Sequence, residues 1–531
     1  MSDPTIQARI HLATRLTESG QYDAAREAWL DIHRSRPDAG EIMLELSYVE
    51  SFAGRFRAAH EWCLRACSHP PAGTQDQISL IRRLRTFNEI PRLCAFATDR
   101  LHSQSGDSAV LSECARQLSN VNDAELALRC VEAALATNPR DLGVRVLRAQ
   151  LWADFGRDAD ARSELQAVLA TNPRIAIAWW MLARLKAAEP RSNHVAAIRT
   201  QLGAPGLRPI DVAALSRALH KELDDLGDYP AAWQALEQMC RAKRSGFDHD
   251  SLHTRTLVDK LIALPKHHTH VLPNGMSPTP IFIVGMHRSG TTLLEQLLDA
   301  HPDLASLGEL LDFTSAMRHA TDHYCKGVID LEIVHRSSEV DWPTTGRRYL
   351  DGVAWRVGER AFFTDKEPAN FFNIGFICQA LPQARIIHLV RDPVETCFSN
   401  LRELFSDVNA WSYDQHELAD HFIQYRRLMT HWHSRWPGRI LDVSYADLTA
   451  HTEATMRNVA AFCDLDFVDT MCDPRHSTRA VATASAVQVR EAITHRKRAK
   501  WFPYSQYLRP LITTLRDGGA ELSPEALHAI A

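Results

Sequence analysis

Apolar positions in the C-terminal half of the chain form short uninterrupted runs that alternate with helical patterns. Ile281–Val284 is β-branched and aromatic without polar alternation, and Ala384–Val390 is a second run of this kind. Such runs are typical of strands that are buried on both faces. Leucines recur with helical spacing after the first run, and Val394–Leu404 has a helical pattern after the second. Strands that alternate with helices predict an α/β domain with a parallel sheet.

The N-terminal half has a different pattern, which repeats every thirty-four residues. Two series of positions keep this spacing, a small or turn-forming residue at Gly20, Gly54, Asn88, Asn122 and Gly156 and an apolar residue at Ala25, Ala59, Leu93, Ala127 and Ala161. A period of this length is typical of tetratricopeptide repeats, in which pairs of helices stack into a superhelix. We expect the Gly or Asn to end the first helix in a left-handed conformation and the Ala to let the second helix approach it closely.

The two patterns divide the chain into three segments. We predict a tetratricopeptide superhelix at residues 1–264, a proline-rich linker at residues 265–279 and an α/β domain at residues 280–531. Repeat arrays present a concave surface to peptides or protein partners, whereas the alternative is a scaffold that only packs against the second domain. Trp179 and Trp180 are either an exposed recognition pair or part of the repeat core.

Composition excludes several other classes of protein. The 531 residues are 45% hydrophobic and 24% charged, with a net charge of −5, so neither nucleic acid nor an anionic membrane surface is an expected partner. No apolar run is long enough to predict a membrane span. The eleven cysteines lack paired spacing, which favours reduced thiols and a cytoplasmic location.

The segment between the first predicted strand and its helix has the features of an anion site. Gly285 and Gly290 enclose Met-His-Arg-Ser, and Thr291-Thr292 begin the helix, so loop N–H groups and the helix dipole would face the same oxyanion. The loop differs from a Walker A motif because Thr291 stands where that motif has its lysine. The cation is Arg288 instead. The alternative is a glycine-rich turn that binds nothing.

The sequence R-S-G-T-T at residues 288–292 resembles the 5′-phosphosulfate loop of the sulfotransferase family, and it is most similar to the loop of tyrosylprotein sulfotransferases. The resemblance implies a P-loop-like, three-layer α/β fold for this domain. It also implies that the co-substrate is 3′-phosphoadenosine-5′-phosphosulfate. Sulfuryl transfer needs an in-line approach and stabilisation of charge, so we expect that no metal is required. The loop residues that would hold the phosphosulfate are His287, Arg288, Ser289, Gly290, Thr291 and Thr292.

Three further segments resemble the parts of this family that surround the nucleotide. Arg391-Asp392-Pro393 follows the second predicted strand, and Ser399 lies eight residues after the arginine. The resemblance assigns Arg391 and Ser399 to the 3′-phosphate. It implies that Tyr445 lies next to the nucleotide, and that Lys500 and Trp501 belong to a terminal segment that covers it, with Lys500 on the 3′-phosphate.

Four residues are candidates for the chemistry of sulfuryl transfer. The leaving phosphate gains negative charge, which Arg288 would stabilise, and Lys366 and Ser485 match family residues that are directed at the same bridging region. Glu309 aligns with the glutamate of tyrosylprotein sulfotransferases, and a phenol with a pKa near ~10 needs such a base at neutral pH. Lys366 could instead form a surface ion pair with an adjacent acid. Glu309 could instead be an acid that begins the next helix.

These features predict a sulfotransferase that moves the sulfuryl group of the donor to a hydroxyl acceptor. We expect the acceptor to be a tyrosine of a protein or peptide that the repeats recruit. Two other hypotheses remain open at this point, an atypical nucleotide kinase and a non-catalytic repeat adaptor with a vestigial nucleotide fold. A kinase would have little use for the second phosphate clamp at Arg391, and an adaptor would have no turnover.

Overall fold

The chain forms two compact units in a computed structural model, which describes residues 4–103, 107–247, 250–265, 278–405, 408–476 and 499–531. Unit 1 comprises Met1–Val144 and Leu311–Trp355, and unit 2 comprises Arg145–Leu310 and Arg356–Ala531. Ser485 and most of the predicted linker lie outside the described residues.

Helices follow one another through the described part of the chain that precedes the first strand, as the sequence predicts. No helix in the described residues is both long enough and apolar enough to cross a membrane. The helices of this region are α1 (Pro4–Glu18), α2 (Tyr22–Ser35), α3 (Gly40–Phe52), α4 (Phe56–Ser68), α5 (Thr74–Thr86), α6 (Ile90–His102), α7 (Ser108–Ser119), α8 (Ala124–Thr137), α9 (Leu142–Asp154), α10 (Asp158–Thr171), α11 (Ala176–Leu185), α12 (Val195–Leu202), α13 (Pro209–Asp225), α14 (Tyr229–Arg244) and α15 (Ser251–Ile262).

The turns between paired helices confirm the thirty-four-residue repeat. Every predicted Gly or Asn position has a left-handed backbone, with φ of 76° at Gly20 and 59° at Asn88. In the first turn, the N–H of Gln21 donates to the Leu16 carbonyl at 3.0 Å, which closes the helix end around the glycine. The apolar series of the repeat is fully buried, so the helices of each pair pack closely.

The pair of tryptophans in α11 belongs to the repeat core and is not an exposed recognition surface. Trp179 and Trp180 are both buried, and Trp179 Nε1 donates to the Pro173 carbonyl at 2.8 Å. The Arg217 guanidinium lies 4.2 Å from the centroid of the Trp180 ring. The core interpretation of these residues is therefore the correct one.

Unit 2 contains a parallel sheet of five strands in its described residues, which confirms the predicted α/β fold. The strands are β1 (Thr279–Gly285), β2 (Leu304–Ser306), β3 (Phe362–Asp365), β4 (Arg385–Val390) and β5 (Ile440–Ser444), and they lie in the order β2-β3-β1-β4-β5. Phe282 of β1 pairs with Asp365 of β3 on one side and with Ile386 of β4 on the other. Because the chain crosses from one side of β1 to the other, a ligand is expected at the carboxyl ends of β1 and β4.

The helices of the C-terminal half are α16 (Thr291–Leu298), α17 (Asp312–Thr321), α18 (Leu331–Arg336), α19 (Trp342–Val357), α20 (Ile374–Ala380), α21 (Pro393–Leu401), α22 (Gln415–Arg435), α23 (Tyr445–Ala450), α24 (Thr452–Phe462), α25 (Arg509–Asp517) and α26 (Pro524–Ile530). Helices cover both faces of the sheet. Ile387 and Leu389 of β4 share an apolar core with the leucines of α16, whereas the intervening His388 contacts Tyr425 of α22. Successive residues of a strand point to opposite faces, so the domain has three layers.

Unit 1 includes a segment from the C-terminal half of the sequence. Ser315 Oγ donates to the Phe87 carbonyl at 3.2 Å, and the N–H of Arg57 donates to Asp322 Oδ1 at 2.7 Å. The segment Leu311–Trp355 therefore packs with the first repeats. The division of the chain at residues 264 and 280 stays a prediction.

Candidate active site

Several of the predicted site residues that the structure describes lie at the carboxyl edge of the sheet. Each strand leads into one of them: β1 into the loop that begins at Met286, β2 into Glu309, β3 into Lys366, β4 into Arg391 and β5 into Tyr445. Because all neighbouring strands are parallel, these segments emerge at the same edge. The topology thus brings together residues that lie far apart in the sequence.

The loop after β1 carries polar groups that suit an anion. Arg288 has a left-handed backbone with φ of 67°, and Gly290, with φ of 112°, caps α16. Thr291 and Thr292 are buried at the start of this helix, where the first N–H groups of a helix have no intrahelical acceptor. Ser289 is 1% exposed, and its hydroxyl has no hydrogen-bond partner among the described residues. A buried hydroxyl beside a helix N-terminus is well placed to bind an oxyanion.

Tyr445 packs directly on this loop. A Cβ atom added at Gly290 would lie 2.3 Å from Cδ2 of the Tyr445 ring, so only glycine fits against the ring. The Arg391 guanidinium lies 4.4 Å from the centroid of the same ring, and its Nη1 donates to the Arg288 carbonyl at 3.1 Å. The segments after β1, β4 and β5 therefore form one connected surface.

Side chains of α21 also hold the loop. Arg288 Nε donates to Ser399 Oγ at 3.2 Å, which brings together two residues that the resemblance assigns to different phosphates. The adjacent Asn400 donates from Nδ2 to the His287 carbonyl at 2.7 Å. Asn400 was not among the predicted site residues, and only its position next to Ser399 indicated it in the sequence.

Lys366 and Glu309 form an ion pair at the carboxyl ends of β3 and β2. Lys366 Nζ donates to Glu309 Oε1 at 2.6 Å, and the lysine side chain is 0% exposed while that of the glutamate is 45% exposed. A surface ion pair between Lys366 and an adjacent acid is therefore wrong. Glu309 also precedes α17, which begins at Asp312, so it does not start a helix. The buried lysine thus orients a carboxylate that solvent can reach.

Glu295 of α16 anchors the segment that carries Glu309. Its buried carboxylate oxygen Oε1 accepts hydrogen bonds from the Gly308 N–H at 2.8 Å and from the Thr364 hydroxyl at 2.9 Å. The N–H of Lys366 donates to the Gly308 carbonyl at 2.9 Å. Glu295 was not among the predicted site residues, although an acid within the apolar pattern of a helix indicates a buried polar role.

Two groups near this ion pair have shifted pKa values. Burial lowers the pKa of His287 to about 4, with the Glu309 carboxylate acting in the opposite direction, so the imidazole is neutral at pH 7. Burial, together with the Glu309 carboxylate, raises the pKa of Glu367 to about 7. At neutral pH the site therefore contains a neutral imidazole beside the Lys366–Glu309 pair.

The C-terminal segment that the resemblance places over the nucleotide is partly described. Trp501 is buried, and Tyr504 donates from its hydroxyl to Asp224 Oδ1 at 2.5 Å. Lys500 interacts electrostatically with the same carboxylate. Ser485 lies outside the described residues, so its role stays a prediction.

One group within the described residues brings three metal-ligand atoms together. His388 Nδ1 lies 2.7 Å from Asp442 Oδ1, and His433 Nε2 lies 2.8 Å from the same oxygen. These are hydrogen-bond distances. His388 Nε2 contacts the Tyr425 hydroxyl, which also meets the Met286 N–H. The group thus links the sheet to the loop after β1, and the expectation that no metal is required stays a prediction.

Comparison with known protein families identifies the domain that carries these residues. Residues 280–469 match the Sulfotransferase family. The matched segment begins at the second residue of β1 and contains the other four strands of the described sheet. It also contains most of the predicted site residues.

Individual relatives share part of the chain. It is 28% identical over 394 residues to an uncharacterized protein of Aquifex aeolicus (strain VF5). That alignment covers 72% of this chain and 51% of the Aquifex protein. It is 25% identical over 195 residues to protein-tyrosine sulfotransferase 1 of Danio rerio, with 36% of this chain and 54% of that protein covered. The chain thus spans about half the length of these curated relatives. Among solved structures, the sulfotransferase domain of the Synechococcus PCC 7002 olefin synthase has a TM-score of 0.31 and 18% identity, and it covers 50% of this chain and 97% of that domain.

Proposed function

We propose that the protein transfers the sulfuryl group of 3′-phosphoadenosine-5′-phosphosulfate to a hydroxyl acceptor. One observation carries the proposal: Arg391, predicted for the 3′-phosphate, donates to the carbonyl of Arg288, predicted for the 5′-phosphosulfate. Two phosphate sites on adjoining loops fit a nucleotide that is phosphorylated at both positions. The loop also lacks the lysine that a nucleoside triphosphatase needs, and the match of residues 280–469 to the Sulfotransferase family supports the same activity.

In the proposed reaction the acceptor oxygen attacks sulfur in line with the bridging oxygen of the donor. The bond from sulfur to the acceptor forms as the bond to the bridging oxygen breaks, and the products are a sulfate ester and adenosine 3′,5′-bisphosphate. Arg288 and the loop N–H groups bind the negative charge that develops on the leaving phosphate. The Glu309 carboxylate accepts the proton of the acceptor hydroxyl.

Lys366 has two roles in this proposal. A lysine ammonium has three N–H groups, and one of them donates to Glu309, which orients the base. Another donates to the bridging oxygen of the donor as the bond to sulfur breaks. Ser485 is proposed to act at the same oxygen, while Tyr445, Lys500 and Trp501 surround the nucleotide.

For the acceptor we propose a tyrosine of a protein or peptide. The Glu309 side chain is 45% exposed, so an acceptor side chain that arrives from solvent reaches it. Repeat arrays bind extended chains, and the repeats would raise the local concentration of such an acceptor. Incubation with a sulfur-labelled donor and a cell extract identifies the species that acquires label. Label on small molecules alone would contradict a protein acceptor.

Ligand-dependent thermal unfolding tests the identity of the donor. Adenosine 3′,5′-bisphosphate is expected to raise Tm far more than ATP with magnesium does, because a ligand at one hundred times its Kd stabilises the folded state by about 2.7 kcal/mol. An equal or larger shift with ATP would favour the nucleotide kinase. No shift with either nucleotide would favour the non-catalytic adaptor.

Replacing Gly290 by alanine is expected to remove most of the Tm shift that the bisphosphate produces, because the added Cβ forces the Tyr445 ring away from the loop. Gly438→Ala is the matched control. Gly438 is also left-handed, with φ of 77°, but its Cβ would meet no described atom within 4 Å. Both variants carry a backbone cost of about 1–2 kcal/mol, so only the ligand-dependent shift separates them. A full shift in Gly290→Ala would mean that Tyr445 does not fix the loop.

A further inference from the structure

The last repeat helices belong to the same compact unit as the sheet and lie against α21. The Cys240 thiol of α14 lies 3.8 Å from the Leu401 carbonyl at the end of α21. The next residue, Arg402, has its Nη1 3.5 Å from Oδ2 of Asp224 in α13. Helices α13 and α14 therefore border the helix that carries Ser399.

Arg217 of α13 is a buried cation whose polar atoms are incompletely paired. The residue is 9% exposed, and its guanidinium lies 4.2 Å from the centroid of the Trp180 ring. Its Nε has no hydrogen-bond partner among the described residues. Burial lowers the pKa of Arg217 to about 9, so the side chain remains charged at neutral pH. A buried charge of this kind needs a counter-charge.

The charged side chains that act most strongly on Arg217 are mostly cations. It interacts electrostatically with Glu403, Arg402, Arg184 and Arg288, and Arg288 shares the first three of these neighbours. Three of these four neighbours are arginines, although Arg402 also faces Asp224. Because like charges repel strongly where water is excluded, an added anion would stabilise the cluster.

We propose that Arg217 binds the 3′-phosphate of the sulfuryl donor, so that the repeat region forms one wall of the donor site. The inference rests on the function proposed above. The cluster lies at the end of α21, the helix that carries Ser399. Ser399 is predicted to bind the 3′-phosphate, and its Oγ accepts a hydrogen bond from Arg288 Nε. A phosphate monoester carries a charge of about −1.5 to −2 at pH 7, and a guanidinium binds it with two parallel hydrogen bonds.

This role differs from recruitment of an acceptor. Arg217 and Arg184 come from helices of the repeat region, whereas Arg288 and Arg402 come from the α/β domain. The two parts of the chain would then share one ligand, the nucleotide. Discrimination between nucleotides with and without a 3′-phosphate would depend on α13.

Isothermal titration calorimetry tests the inference, because it measures the affinity of the protein for each of two nucleotides in separate titrations. Arg217→Met, which keeps a side chain over the Trp180 ring, is expected to bind adenosine 3′,5′-bisphosphate roughly 10–100-fold more weakly, as the loss of hydrogen bonds to a charged group predicts. Its affinity for adenosine 5′-monophosphate should change by less than about two-fold, because that ligand lacks the group that Arg217 binds. Arg217→Lys should lose less, because it keeps the charge but not the planar fork.

Lys221→Met is the control on the same helix, since it removes a cation that pairs with Asp225. It should leave the affinity for both nucleotides unchanged. Equal losses for both nucleotides in the two Arg217 variants would give Arg217 a structural role and overturn the inference. An unchanged bisphosphate affinity, or a rise in the acceptor KM alone, would also overturn it. A wild type that does not prefer the bisphosphate to the monophosphate would refute the proposed donor, whereas a preference that survives in Arg217→Met refutes only the role of Arg217.

Discussion

Arg288→Ala is expected to lower kcat by roughly 10²–10³, which is the usual cost of removing one group that stabilises transition-state charge. The residue lies in the loop after β1, and its Nε donates to Ser399 Oγ. Donor affinity should fall less than kcat, because Arg391 and the loop N–H groups still hold the nucleotide. Single-turnover kinetics with saturating donor separate the two effects.

Arg457→Ala is the control for this experiment, since it removes an arginine of α24 that pairs with Glu453 at the surface. It should leave kcat unchanged. Arg288→Lys should recover part of the lost activity because it restores the charge without the planar fork. If Arg288→Ala keeps kcat within a few-fold of the wild type, Arg288 is not the group that stabilises the leaving phosphate.

Glu309→Gln is expected to reduce kcat by about 10²–10⁴, the usual contribution of a general base, with the acceptor KM within a few-fold of the wild type. The amide keeps an oxygen for Lys366 Nζ, which donates to the carboxylate at 2.6 Å, so the shape of the site is retained. Steady-state kinetics at varied acceptor concentration measures the two constants separately.

Glu453→Gln is the matched control, because it changes an exposed carboxylate of α24 that also forms an ion pair. Wild-type kcat in Glu309→Gln would exclude Glu309 as the base. His287 would then be the next candidate, since burial keeps its imidazole neutral at pH 7. Its Nδ1 has no hydrogen-bond partner among the described residues, and a neutral imidazole accepts a proton.

The repeats and the longer strands were predictable because they depend on local periodicity. The left-handed turn at Gly54 follows from a small residue that recurs at a fixed interval, and β1 and β4 follow from uninterrupted apolar runs. Strands β2 and β3 were not predicted. They have 3 and 4 residues, which is too short for a periodic pattern to distinguish a strand from a loop.

The side-chain contacts of the site were less predictable than its residues. The family resemblance indicated Glu309 and Lys366, but their ion pair depends on the parallel register of β2 with β3, in which Ser306 lies opposite Thr364. Glu295 was missed for the same reason, because its two hydrogen-bond partners come from segments after β2 and within β3. Sequence spacing contains no information on contacts that only the assembled sheet creates.

Unit 1 is discontinuous in sequence, and this restricts the order in which the protein folds during its synthesis. The first segment of the unit ends at Val144, but its second segment, Leu311–Trp355, leaves the ribosome only after β1 and β2 of unit 2. Contacts between such distant segments are slow to form. The first repeats must therefore wait, without the partners that Ser315 and Asp322 provide, throughout the synthesis of residues 145–310. During that interval the Phe87 carbonyl and the Arg57 N–H of the first repeats lack these partners, so this part of the nascent chain is open to binding by a chaperone.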